Sequence, residues 1–326
     1  MNDMASTTAY DFIRLETKPT ARLCYSFNPA TTSTATKPTL LVFVNGLGLP
    51  QAGWALAIDK LREYSSRNLP ALLTYDRFGQ GQSVDRDPAD EGAADPSHAH
   101  DCMSAVRDMQ QLITQIAKDR MNIGEPDTLR LVFVGNSVGC SLIRLYAHEY
   151  PGTVAGILFL DSTLTDTDFV SIFPDPDAES FDPDLPPGVT AENLRDAREK
   201  IRQRFHPDVG SQEGLSRRNL FQLLPRADAP LLYNAGENAP YITVLGHDFE
   251  FFAERTEMDL GIPVAVIQTY MNTYWHRYNQ GLAKLTVRER SKGPFQVPGA
   301  GHFIQADNPA YVAERLHEML QLLGFD

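Results

Sequence analysis

Cysteine is scarce in this chain. Three residues (Cys24, Cys102 and Cys140) lie far apart and odd in number, which excludes a disulfide framework and points to reduced thiols in a cytoplasmic protein. Basic residues are under-represented, 29 Lys and Arg against 42 Asp and Glu for a formal charge of −13. That balance argues against nucleic acid or anionic lipid surfaces as partners, because both select basic patches. No apolar run reaches the about 18 residues needed for a membrane span. Met1–Thr20 lacks the basic start and apolar core of a secretory signal. No His-Glu-x-x-His, Cys-x-x-Cys or Gly-x-Gly-x-x-Gly pattern occurs in a setting that would hold a metal or nucleotide. The expectation is a small-molecule substrate with no cofactor and no metal; oligomeric state is left open.

What is present is a sharp turn around one serine. Leu131–Val134 reads as a buried strand, Gly135-Asn136-Ser137-Val138-Gly139 follows, and Leu142, Leu145 and Tyr146 then recur at helical spacing. A Gly-x-Ser-x-Gly turn between a strand and a helix is the setting of a nucleophile elbow, in which the hydroxyl projects from the carboxyl end of a sheet. Cys140, just past the elbow, is expected to pack as a small apolar residue. Upstream, the strand Thr39–Val44 ends in Asn45-Gly46-Leu47-Gly48. An oxyanion hole needs backbone N–H groups aimed where negative charge develops, and Val138 and Leu47 are the expected donors. Downstream, Phe295–Phe303 contains a Gly/Pro turn and His302, late in the chain and ahead of a terminal amphipathic helix from about Pro309 to Leu323. The order Ser137 then His302 suits a general base.

These segments, with Asp76-Arg77-Phe78-Gly79-Gln80-Gly81-Gln82-Ser83, resemble the α/β-hydrolase superfamily over nearly the whole chain. The Asp76 loop is similar to the superfamily's Asp-x-Arg-Gly-x-Gly-x-Ser loop with Arg77 and Phe78 shifted, and Asn45-Gly46 stands where many members have His-Gly. The segments Tyr274–Asn279 and Gly301–Gln305 look like single-domain hydrolases of fungal secondary-metabolite pathways. The resemblance implies an α/β-hydrolase fold, with a mostly parallel eight-stranded sheet, helices on both faces and an inserted helical lid. It also implies a serine hydrolase acting on an ester or thioester, or a lactone, of a small and polyketide-like molecule. Acyl transfer, lactone formation or cyclisation by the same residues is the alternative, and a non-catalytic small-molecule-binding relative is the other. Serine at position 137 sets the chain apart from the superfamily's epoxide hydrolases and dehalogenases, whose nucleophile is an aspartate.

A histidine base needs a carboxylate on its second nitrogen, and two aspartates compete. Asp161 ends the strand Gly156–Leu160, where a minority of the superfamily carries its acid. Asp248 follows the strand Tyr241–Leu245, where the acid usually lies, but in Gly246-His247-Asp248 it comes one residue early. Glu250 is a minor third candidate.

Alternation organises the rest. Two antiparallel strands precede Asn28, and Asn28–Lys37 is an exposed connection. Strand and helix patterns then alternate to Asp161 (helices Trp54–Glu63 and Met103–Ile116, strand Ala71–Tyr75), implying a parallel sheet covered on both faces. The rhythm stops between Leu164 and Pro240, where Pro/Asp-rich stretches precede helical patterns over Ala191–Phe205 and Leu215–Leu224. Residues 1–164 and 241–326 are therefore expected to form the core and 165–240 a lid. Phe169, Phe173, Phe205, Phe221 and Leu224 are its candidate lining. Tyr270, Tyr274, Trp275 and Tyr278 recur at helical spacing as a face packed on the sheet.

Overall fold

Runs of Leu, Val, Ile and Phe pair into one eight-stranded sheet in the computed structural model, which describes residues 9–31, 37–65, 68–124, 128–233 and 239–325. The strands are β1 (Asp11–Leu15), β2 (Lys18–Asn28), β3 (Thr39–Val44), β4 (Ala71–Tyr75), β5 (Arg130–Ser137), β6 (Val154–Ser162), β7 (Tyr241–Gly246) and β8 (Ser291–Gln296). Their order across the sheet is β1-β2-β4-β3-β5-β6-β7-β8. β2 runs antiparallel to both neighbours, and every pairing from β4 to β8 is parallel. Every residue of β3 and β4 is buried, as a parallel strand covered on both faces must be. Residues 32–36 of the connection Asn28–Lys37 lie outside the described residues, and Pro29–Thr31 are exposed as expected.

The pleat divides the core in two. Leu40, Val42 and Val44 point to one side with α2 (Cys102–Met121) and α3 (Val138–Glu149). Leu41 and Phe43 point to the other, with α1 (Ala55–Tyr64) and, at the far end of the chain, the helix Pro309–Leu322. Helix α2 begins on Asp101, whose side chain accepts from the Ser104 N–H, and outlasts the apolar pattern because Asn122 closes it in the left-handed conformation. Among the described residues no helix is long and apolar enough to cross a membrane.

Among the described residues between β6 and β7, none joins the main sheet. Helix α4 (Ala191–Phe205) starts on a capping box between Thr190 and Asn193. The helix expected over Leu215–Leu224 is not formed as such: Leu215–Ser216 pairs with His100–Asp101, and only Leu220–Leu223 is helical. The Arg217 guanidinium explains the break, since it donates to the carbonyls of Phe205, His206 and Val209 and pulls the segment out of line.

After β7 come α5 (Phe249–Leu260) and a helical stretch holding a π-helical turn (Ile267–Asn272) that runs into α6 (Thr273–Leu282). The terminal helix Pro309–Leu322 is α7. Helix α3 meets the sheet at Gly139, where an added Cβ would lie 2.2 Å from the Val44 carbonyl oxygen. Because the obstruction is backbone, no rotamer change relieves it. Gly139→Ala is expected to cost about 2–4 kcal/mol of stability, read as a lowered urea midpoint with an unchanged slope.

Candidate active site

Ser137 sits where β5 turns into α3, with φ 56° and ψ −126°. A non-glycine residue there carries about 1–3 kcal/mol of strain, and the flanking glycines make the turn possible. A Cβ at Gly135 would fall 2.5 Å from the Ile143 side chain. Ser137 is half-buried, and its carbonyl accepts the Thr163 N–H at 3.1 Å. The Cys140 thiol is buried one turn below and donates to the Gly135 carbonyl, while burial pushes its pKa well up. It is a packing residue, not a reactive thiolate.

Asp161, at the end of β6, is fully buried with φ 42°. Its Oδ2 accepts from Nδ1 of His302 at 2.7 Å, and its Oδ1 faces Nδ1 of a second histidine, His247, at 2.8 Å. Burial pushes the carboxyl pKa up, but the charge and hydrogen bond of His247, then those of His302, more than reverse this and bring it down to about 2. With the folded value depressed, this pairing stabilises the protein above the ordinary carboxylate range and is lost as pH falls toward 2. Asn136, one residue before the nucleophile candidate, donates from Nδ2 to the carbonyls of Leu160 and His302. One amide thus ties the elbow, the end of β6 and the His302 loop together. No hydrogen bond joins the Ser137 hydroxyl to the His302 ring among the described residues; such a bond commonly tightens only with substrate in place.

Asp248 lies elsewhere in this network. It is the N-cap of α5, accepting from the N–H groups of Glu250 and Phe251, and its other oxygen accepts from the Gly299 N–H. It braces the backbone leading to His302 without touching the ring. The structure brings Ser137, Asp161 and His302 to one edge of the sheet and leaves Asp248 as a helix cap. Glu250, in the first turn of α5, is exposed.

The loop after β3 is held by side chains of the Asp76 loop, a contact between distant segments that no local pattern marks. Arg77 donates to the carbonyls of Asn45 and Gly46 at 2.9 Å each, and Gln80 Nε2 also donates to Gly46 at 2.9 Å. In a planar trans peptide, fixing the Gly46 carbonyl toward Arg77 turns the Leu47 N–H the opposite way. Gly46 itself lies against the elbow, since a Cβ there would be 3.3 Å from Ser137 Cβ. The Val138 N–H, first in α3, has no carbonyl of its own helix to bond. Arg77 is buried and paired in a fork with Glu213 of the inserted segment at 2.7 and 3.0 Å, and Glu213 also accepts the Gly48 N–H. The rest of the Asp76 loop is architectural: the Asp76 carboxylate accepts the N–H groups of Gln51 and Gln82, and the Ser83 hydroxyl donates to its carbonyl.

A model of the alpha/beta hydrolase family matches residues 41–315. The chain belongs to that family. No curated protein sequence matches it. Among solved structures, this hydrolase is similar to a putative lipase from Acinetobacter baumannii (TM-score 0.53, 16% identity, covering 97% of this chain and 91% of that one). It is also similar to a thermophilic esterase from Thermogutta terrifontis (0.51, 17%, 97% and 99%) and to mouse alpha/beta hydrolase domain-containing protein 10 (0.54, 13%, 97% and 100%). At such identities these likenesses concern the fold.

Beside Thr163, whose N–H donates to the Ser137 carbonyl, lies a small cleft lined by Leu164, Phe169, Arg217, Leu220 and Phe221 among others. Of the five lining candidates named from sequence, Phe169 and Phe221 line it. Phe205 stands 6.3 Å from Phe169, and Phe173 and Leu224 are buried in packing. Trp275 continues the aromatic wall, 6.2 Å from Phe169 and 5.6 Å from His302, with its indole N–H donating to the Ser162 carbonyl. A separate group, Asp87, Asp90 and His100, has metal-ligand chemistry. Its oxygens face Lys18, Arg86 and His100 in ion pairs, so it reads as a charge-balanced loop anchor.

Breaking a buried ion pair from one side strands the other charge. Arg77→Met is therefore expected to destabilise the hydrolase by about 3–5 kcal/mol. Adding Glu213→Leu should make the double variant less costly than the sum of the two singles, as checked by a double-mutant cycle in urea.

Proposed function

We propose that the protein is a serine hydrolase that cleaves an ester or thioester of a small organic molecule through an acyl-enzyme on Ser137. The observation that carries this reading is the 2.7 Å contact between Asp161 and Nδ1 of His302, on a loop that Asn136 ties to the elbow. Asp161 holds the proton on Nδ1, so Nε2 keeps the lone pair that takes the Ser137 proton during attack on the carbonyl carbon. The N–H groups of Leu47 and Val138 receive the developing oxyanion, each worth about 3 kcal/mol of barrier. Collapse expels the alcohol or thiol with the proton from His302. A water deprotonated by the same ring then attacks the acyl carbon, releasing the acid and restoring Ser137.

In this reading residues 165–240 form a lid on a core of residues 1–164 and 241–326. The Arg77–Glu213 fork supports that assignment, because it joins the inserted segment to the loop that carries Leu47. The cleft combines the aromatic wall with threonine and aliphatic side chains and a single cation, Arg217, whose guanidinium is bound to the carbonyls of Phe205, His206 and Val209, which suits a substrate that is largely apolar around its scissile carbonyl. Lactones and polyketide-derived esters are the finer substrate class we propose, on the resemblance at Tyr274–Asn279.

A fluorophosphonate probe should label the parent protein and leave Ser137→Ala unlabelled. With a p-nitrophenyl ester, Asp161→Asn should lower kcat by about 10⁴, since it places the wrong tautomer opposite the serine. Asp248→Asn should change kcat less than about tenfold and mainly lower the melting temperature, because asparagine keeps the helix cap but has no second oxygen to accept the Gly299 N–H. Labelling that survives Ser137→Ala, or turnover lost with Asp248→Asn and kept with Asp161→Asn, rejects the assignment.

A further inference from the structure

His247, the residue before Asp248, is almost fully buried against the carboxylate that holds His302. Its hydrogen bonds define its protonation. Nδ1 faces Asp161 Oδ1 at 2.8 Å, and that oxygen also accepts the His247 backbone N–H. Nε2 faces Oδ1 of Asn272 at 3.1 Å. The Asn272 amide cannot be turned over, because its Nδ2 donates to the Phe249 carbonyl at 2.9 Å, and a carbonyl accepts only from N–H. Both ring nitrogens therefore point at acceptors, and a neutral imidazole has only one N–H to offer.

We propose that His247 is an imidazolium and acts as a positioning residue for the reaction assigned above, keeping Asp161 ionised while offsetting its charge. The reaction step itself rests on the serine-hydrolase reading; the charge on His247 does not.

The surroundings fit a cation. Phe252 stacks on the ring at 4.0 Å between centroids, presenting its electron-rich face. Trp275 meets it at a right angle, 5.3 Å away. The charged or titratable groups facing it are Asp161 from β6, Asp248 at the start of α5, and His302 across the shared carboxylate; α6 and the π-helical turn offer only Asn272 and Trp275. Asn272 closes that turn, an uncommon helix form that places its amide inward between His247 and α5.

The consequence concerns pH. With the imidazolium beside it, Asp161 keeps His302 in the right tautomer without stabilising a second proton on that ring as a lone carboxylate would. Replacing His247 by a neutral residue that still donates to Asp161 removes the offsetting charge while the donors keep the carboxylate ionised, and the inactive, protonated form of the resting enzyme then persists to higher pH.

Two measurements on the full chain test this. In ¹⁵N-histidine-labelled protein, both ring nitrogens of His247 should be protonated from about pH 5 to pH 8; one bare nitrogen at neutral pH overturns the proposal, whatever the enzyme hydrolyses. In His247→Gln, which retains a donor for Asp161, the acid limb of kcat/KM for a p-nitrophenyl ester should move up by about one pH unit, the scale of one nearby charge. That means the loss of kcat/KM relative to the parent is largest near the acid end, about tenfold more there than on the alkaline side. A merely structural role would lower activity evenly across the profile, and that outcome overturns the proposal, as does a profile that superimposes on the parent. If His247→Gln fails to fold, the nitrogen spectrum decides alone. Loss of labelling and turnover in Ser137→Ala checks the hydrolase reading separately.

Discussion

A carboxylate without solvent contact must find all its partners inside the protein, and Asp161 is that group. Burial alone would protonate it. Its ionised form survives because donors reach it from His247 after β7 and His302 after β8. Those donors lie 86 and 141 residues away in the chain, so the charge forms only once β6, β7 and the loop beyond β8 lie side by side. Much of the local architecture serves that convergence. The positive φ of Asp161, the amide of Asn136 and the π-helical turn that sets Asn272 each place one atom of the network.

A second buried charge pair does for the neighbouring loop what Asp161 does for the imidazole. Arg77 fixes the carbonyls of Asn45 and Gly46, and its counter-ion Glu213 comes from the inserted segment. A fork of this kind has preferred directions, unlike a surface ion pair, and so it orients a backbone as well as holding it. It also couples the inserted segment to the loop facing the elbow: displacing the Glu213 backbone strands a guanidinium in the interior. Strain is placed with the same economy. Of the four described non-glycine residues with positive φ, Ser137 and Asp161 belong to the candidate site, and Phe169 lines the cleft beside Thr163.

What could be read from the letters follows how local each constraint is. Gly135 and Gly139 announce the elbow because the clashes they avoid lie within one strand–turn–helix unit and the adjacent strand end. The parallel sheet was legible for a similar reason, since strands buried on both faces leave continuous apolar runs. Arg77, Glu213, Asn136 and Asn272 were not legible as parts of the site. Each is defined by a partner more than 20 residues away, and no local pattern marks a buried polar residue as paired. Leu215–Leu224 misled for the opposite reason: its apolar spacing suited a helix, and a tertiary demand from Arg217 overrode it.

The choice between two aspartates turned on a single residue of spacing. At the end of β7 the chain has Gly246-His247-Asp248, one residue short of the usual acid position. In that register His247 points inward to Asp161 and Asp248 outward to the first N–H groups of α5. With a carboxylate already buried on β6, the inward place after β7 falls to His247, which bonds to it. A histidine does so while filling the aromatic pocket of Phe252 and Trp275. The early aspartate and the buried histidine beside it are therefore two faces of one constraint, the charge on Asp161.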